Sequence, residues 1–124
     1  MKIELDHPGS SNNRVESYSE GQVTVAGETF QSSIVLSPDT IRTDYLPNNF
    51  TELARSHVES ILSLSPEVVI LGTGSKLLFP DEDILSPFIS SQIGYEIMDT
   101  GAACRSFNFL LGEGRVAVAA LFMI

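Results

Sequence analysis

The sequence predicts an α/β fold whose N-terminal half is α+β in character: a mixed β-sheet flanked by helices, with a βαβαβ C-terminal half and a small antiparallel β-portion. Three observations predict it. The first half carries short β-prone runs separated by glycine-bearing turns. Residues 68–71 (Val-Val-Ile-Leu) are short and wholly apolar, the pattern of a central parallel strand covered on both faces. Beyond them, apolar strands alternate with segments of helical periodicity.

In chain order, Ile3 and Leu5 alternate with polar residues and predict a short strand or frayed arm. Asn12 and Asn13 favour a turn. Strands follow over 14–18, 22–26 and 29–36, with Glu20-Gly21 and Ala26-Gly27 as the turns between them. Residues 34–36 are continuous in apolar character and predict burial on both sides. Two prolines and two adjacent asparagines make 37–49 a loop, anchored on the core by Leu46 and by Phe50 just beyond it.

A helix is expected next, with Thr51 or Asn49 as its cap and Glu52 in the first turn. Leu53, His57, Ile61 and Leu64 recur at helical spacing, and Pro66 ends the run. A second helix is expected over 81–93, opening on three acidic residues, broken or started late by Pro87 and ended by Gly94. Strand 95–98, helix 101–111 and strand 115–121 complete the alternation. Such an order predicts parallel strands joined by crossovers.

The chain has 124 residues, of which 43% are apolar, suiting one domain over 1–124 with one core. The single cysteine excludes an intrachain disulfide and a cysteine-based zinc site, and fits a reducing, cytoplasmic compartment. No stretch approaches the roughly 20 apolar residues of a membrane span. Net charge is −9, and the seven basic residues are scattered, so no stripe exists to neutralise nucleic-acid phosphates.

Candidate site residues cluster at the expected strand ends. Gly72, Thr73, Gly74 and Ser75 follow the central strand directly, and exposed N–H groups there could hold an anion. The stretch lacks the third glycine of a dinucleotide fingerprint and the Gly-Lys-Ser/Thr of a phosphate loop. A tight strand exit is the competing reading. Asp99 and Thr100 stand where the next strand ends, either as a helix cap or as part of the same site. Arg105 and Asn108 lie off the apolar face defined by Ala103, Phe107 and Leu110. Helical side chains lean toward the N-terminus, which aims Arg105 at the strand-end crevice of open sheets or at an acidic partner.

Cys104 sits beside Arg105 near a helix start, where a thiol is activated if it is exposed and inert if it is buried. His57 falls on an apolar helix face and His7 in a loop, so neither supplies an obvious base, and the two make no metal site. No cofactor is implied.

Several runs carry a resemblance to a known family. They are Pro66-Glu-Val-Val-Ile-Leu-Gly-Thr-Gly74, then Phe79-Pro80, then Met98-Asp-Thr-Gly-Ala-Ala-Cys-Arg-Ser-Phe-Asn108, then Glu113-Gly-Arg-Val-Ala-Val-Ala-Ala-Leu121. Their order and spacing resemble the small domain of the complex I assembly factor 3-like and adipogenesis-associated domain-containing family, which has many bacterial members of unknown function. The resemblance implies a compact mixed sheet with flanking helices and a non-enzymatic, assembly-factor-like module acting with a protein partner. The N-terminus reads as neither a signal nor a transit peptide, which points to a bacterial member. The alternatives are a small anionic-ligand domain at the strand ends and, least favoured, an enzyme using Cys104 or Asp99. Exposed strand edges leave room for a homodimer.

Overall fold

The computed structural model describes residues 1–5 and 13–124. The expectations for His7 and Asn12 lie outside the described residues. Among the described residues, two sheets and three α-helices make up the fold. The smaller sheet is an antiparallel run of neighbours in the order β1 (Ile3–Glu4), β2 (Val15–Ser19), β3 (Gln22–Val25), β4 (Glu28–Phe30). Glycines at positive φ, Gly21 and Gly27, make the two hairpin turns.

The larger sheet adds β5 (Ile34–Leu36), β6 (Ile41–Arg42), β7 (Val68–Gly72), β8 (Gly94–Met98) and β9 (Ala117–Leu121), ordered β6-β5-β9-β7-β8. β7 is central to the parallel part and pairs with β8 on one side and β9 on the other. β5 joins β9 antiparallel, so the sheet is mixed as expected. The helices are α1 (Arg55–Leu62), α2 (Glu82–Ser90) and α3 (Thr100–Gly112).

Period-two alternation divides the large sheet between two cores. Val69 and Leu71 of β7, with Val118 and Ala120 of β9, face α1 and α2 together with Val58, Ile61, Leu85 and Phe88. Ile70, Ala117, Ala119 and Leu121 face the other way, onto Ala103, Phe107 and Leu111 of α3. The small sheet closes over α3 from outside with Val15, Tyr18, Val23 and Val25. Thus α3 lies between the sheets, which explains why residues on more than one of its faces are buried.

Several boundaries move for local reasons. The expected strand 29–36 is two strands in different sheets, because the chain leaves the small sheet at residues 31–33. Ser33 is buried there and donates to the carbonyl of Pro47 at 2.7 Å. The segment that carries Phe50 and Glu52 is a short 3₁₀ turn rather than the start of α1. The α1 cap is Ala54, whose own N–H donates to Nδ1 of His57 at 2.8 Å. His57 therefore serves its helix terminus, and Leu64 falls beyond the helix.

Pro87 does not break α2. It cannot supply the amide bond to the Asp83 carbonyl, and Ser86 Oγ donates to that oxygen instead at 2.9 Å. The helix ends at Ser90, four residues before Gly94, with Gln92 at φ +58° in the left-handed role. Ile93 and Gln92 donate to the carbonyls of Phe88 and Ile89, the paired bonds of a Schellman ending. β9 starts at Ala117 because Arg115 is used in the matching turn after α3, donating to Leu110.

Among the described glycines, Gly72 leaves the least room for a side chain. A Cβ there would stand 2.9 Å from the Ala103 Cβ, 3.0 Å from the Thr100 Oγ1 and 3.1 Å from the Leu121 Cδ2. Gly72→Ala is therefore expected to cost about 1–3 kcal/mol by forcing α3 off the sheet. Gly94→Ala, with nothing within 4 Å of its Cβ, leaves stability unchanged or slightly raised. Urea unfolding midpoints for the two variants check the contrast; equal midpoints would contradict the packing described.

Candidate functional site

The carboxyl ends of β7, β8 and β9 meet at the start of α3. Thr100 organises this edge and is fully buried. Its hydroxyl accepts from the Gly74 N–H at 2.8 Å and donates to the Phe122 carbonyl at 2.6 Å. Its own N–H donates to the Gly74 carbonyl at 2.9 Å. The Thr73 N–H donates to Met98 at 2.9 Å, and the Phe122 N–H donates to Gly72 at 3.0 Å. Two bonds of one side chain and three main-chain bonds thus tie the three strand ends together.

Asp99 is the N-cap of α3, its Oδ1 accepting from the Ala102 N–H at 2.9 Å. This position provides about 1 kcal/mol to the helix. Thr73 is also buried, and its hydroxyl both donates to the Lys76 carbonyl and accepts from the Leu78 N–H at 3.1 Å. It sets the turn that follows. Gly74 needs its φ of +102°, which a side chain rarely adopts. Ser75 is exposed beside it.

Arg105 and Asn108 lie elsewhere, along the seam between α3 and the small sheet. Asn108 Oδ1 accepts from the Val15 N–H at 2.7 Å, and its Nδ2 donates to the Val15 carbonyl at 2.9 Å. This two-point bond locks β2 to α3. Arg105 is exposed, and its Nη1 donates to the Tyr18 hydroxyl. The Tyr18 ring lies against Gly101, where a Cβ would meet it at 3.1 Å. The structure therefore groups Gly72, Thr73, Gly74, Asp99 and Thr100 at the strand ends. It groups Arg105 and Asn108 with Tyr18 and Val15.

Cys104 is fully buried in the core beneath the small sheet. Burial pushes its thiol up to about 12, against the pull of Arg105 and with a small push from Asp99. Among the described residues, no group of three or more His, Cys, Asp or Glu is placed to hold a metal ion. No helix among them is long and apolar enough to cross a membrane.

A second feature was not singled out from the sequence. Residues 77–79 (Leu-Leu-Phe) are all exposed, with Phe79 at 70%. Leu78 and Phe79 border a groove of about 300 Å³ whose other walls are Phe50, Thr51, Leu53, Pro80, Asp81 and Ile84. The available signal was three consecutive apolar residues inside a loop bounded by Ser75 and Pro80.

The thiol sets a pH dependence. Below its ordinary value of 9.0, Cys104 is protonated in the folded and the unfolded chain alike. Between pH 9 and about 12 the unfolded chain releases the proton and the folded chain keeps it, so stability falls as pH rises through that window. Cys104→Ala is expected to flatten this fall when unfolding midpoints are followed across the window. Ellman's reagent at pH 8 should leave the folded thiol unmodified and react with it in denaturing urea. Prompt modification of the folded chain contradicts the buried assignment.

Comparison with known proteins fits this architecture. The model of a family described as protein of unknown function (DUF498/DUF598) matches residues 15–122. The mouse NADH dehydrogenase (ubiquinone) 1 alpha subcomplex assembly factor 3 is 32% identical over 109 residues, covering 86% of this chain and 58% of its own length. The 13 kDa major membrane protein of Francisella tularensis is 29% identical over 68 residues, 55% of each chain. The chain thus spans little more than half the length of these relatives. A Bordetella parapertussis protein of known crystal structure superposes with a TM-score of 0.85 at 29% identity, covering 94% of this chain and all of that one. By the extent of the family match, the chain belongs to the DUF498/DUF598 family of proteins of unknown function.

Proposed function

We propose that this chain is a non-enzymatic interaction module of the assembly-factor kind, which docks a partner protein through an apolar loop. The observation that carries the reading is the exposed run 77–79. Three consecutive large apolar side chains outside the core are costly in water unless another surface covers them. The loop is also braced, because the Thr73 hydroxyl bonds both Lys76 and Leu78. A braced aromatic anchor loses little conformational freedom on docking, which favours binding.

Other observations support the reading. The N–H groups of Thr73 and Gly74 are both used inside the protein, which leaves few donors for an anion among residues 72–75. The Cys104 thiol is buried and protonated at neutral pH, which disfavours a nucleophilic role. The mouse relative is named as an assembly factor, although it is a longer protein. A cytoplasmic location and a bacterial source belong to the same proposal and rest on the sequence expectations.

The test is recovery of partners by a tagged chain from its host, read by quantitative mass spectrometry beside a Leu78→Ser/Phe79→Ser double variant. A partner recovered reproducibly by the wild type and reduced at least about tenfold in the variant is the expected result. Absence of a reproducible partner, with a rise in Tm on adding phosphate or small carboxylates that Arg105→Ala abolishes, would favour the anionic-ligand alternative instead.

A further inference from the structure

The groove beside Phe79 carries information about the chemistry of its occupant. Its floor is prebuilt: Leu53 is buried, and Phe50 packs edge-on against the core residue Phe122 with ring centroids 5.6 Å apart. Its walls are a 3₁₀ turn, a loop and the first turn of α2. Three main-chain donors along these walls are engaged locally, Glu52 to Asn49, Leu53 to Phe50 and Ile84 to Asp81. Among the described residues, no strand borders the groove, so addition of an extended strand is not the mode these walls offer. A helix laid over it, with apolar anchors three or four residues apart, supplies side chains to such a surface without calling on main-chain partners.

Charge narrows the occupant further. Among the described residues, Asp81 is the one charged residue lining the groove. Glu52 follows the Phe50–Thr51 wall, and Glu82 and Asp83 follow Asp81 into α2; all four carboxylates are exposed. Arg55, across from this turn, is already paired with Asp83 at 2.6 Å. Acid therefore flanks the apolar surface on both walls. A second copy of the chain would bring the same carboxylates and a net charge of −9 against them, which disfavours self-association through this face. A segment carrying lysine or arginine beside its apolar anchors meets the opposite condition.

We propose that the groove receives the apolar face of a basic amphipathic helix from a partner protein. The proposal rests on the reading of the chain as a docking module and specifies which segment it docks. A random peptide library displayed on phage and panned on the immobilised full chain tests it. Recovered peptides are then made synthetically and measured by fluorescence anisotropy against wild type, Phe79→Ser and a Glu52→Lys/Glu82→Lys variant, at low and high salt. Those substitutions are at exposed sites and leave the α2 cap in place; circular dichroism confirms that each variant is folded.

The expected binders carry two apolar residues at a spacing of three or four, flanked by lysine or arginine. Their affinity falls at least about tenfold in Phe79→Ser, and it falls as salt rises. The charge-reversed variant loses them and instead takes the same peptides remade with glutamate flanks. Binders that are acidic, or that hold Phe79→Ser as tightly as wild type, overturn the groove assignment, and whether recovery of a host partner depends on Leu78 and Phe79 then decides the docking-loop reading separately. A concentration-dependent dimer abolished by Phe79→Ser overturns it in favour of a second copy. Recovery of no binder counts against this inference alone when the tagged chain still finds a partner in its host, and against both readings when it does not.

Discussion

The hydroxyl of Thr100 holds the place on which the rest of the structure depends. It is fully buried, and it joins the exit of β7 to the exit of β9 from the first turn of α3. Loss of either bond would leave a buried amide or carbonyl without its partner, at a cost of about 1–3 kcal/mol for each. The bonds also explain the side chains around them. The start of α3 can reach Gly74 and Phe122 only if it sits close to the sheet, so Gly72 has no Cβ and Ala103 has only one. From that seat α3 runs outward beneath the small sheet, where Asn108 fastens it to Val15.

This arrangement divides the molecule into a closed edge and an open one. In open α/β sheets the strand ends commonly leave a crevice that ligands occupy. Here the first residues beyond β7 turn back onto Met98 and Thr100. Thr73 then carries the chain outward, and its hydroxyl braces the turn that presents Leu78 and Phe79 to solvent. On the proposed reading, the same few bonds that close the strand ends also hold the recognition loop rigid. Packing of the groove's Phe50 wall against Phe122, the residue that bonds Thr100, links the two features physically.

The sequence showed the parallel half of the fold clearly because its signals are local. The apolar run before Gly72, the acidic opening of α2 and the double glycine after α3 each specify one element through chemistry within a few residues. It showed the N-terminal half less well. The polar residues 31–33 leave one sheet for the other, and only the remote carbonyl of Pro47 explains why Ser33 can be buried there. Thr51 and Asn49 look like helix caps, yet Ala54 with the ring of His57 is the cap, since a 3₁₀ turn occupies the earlier residues. Gly94 looks like the stop of α2, yet Gln92 adopts the left-handed turn that ends it.

The candidate site was legible by residue type but not by destination. Asp99 was legible as a helix cap, one of the two readings its residue type allows, and it is the N-cap of α3. The partner of Arg105 was not legible, because Tyr18 lies 87 residues away in the chain and reaches it only once the small sheet has folded over α3. Amide hydrogen exchange, followed residue by residue in native conditions, tests the closed strand end most directly. The account predicts that Thr73, Gly74, Thr100 and Phe122 exchange as slowly as the interior amides of β7, with Ser75 and Lys76 fast. Exchange of Gly74 and Thr100 at the rate of Ser75 would contradict it and would mean that the strand ends stand open to solvent.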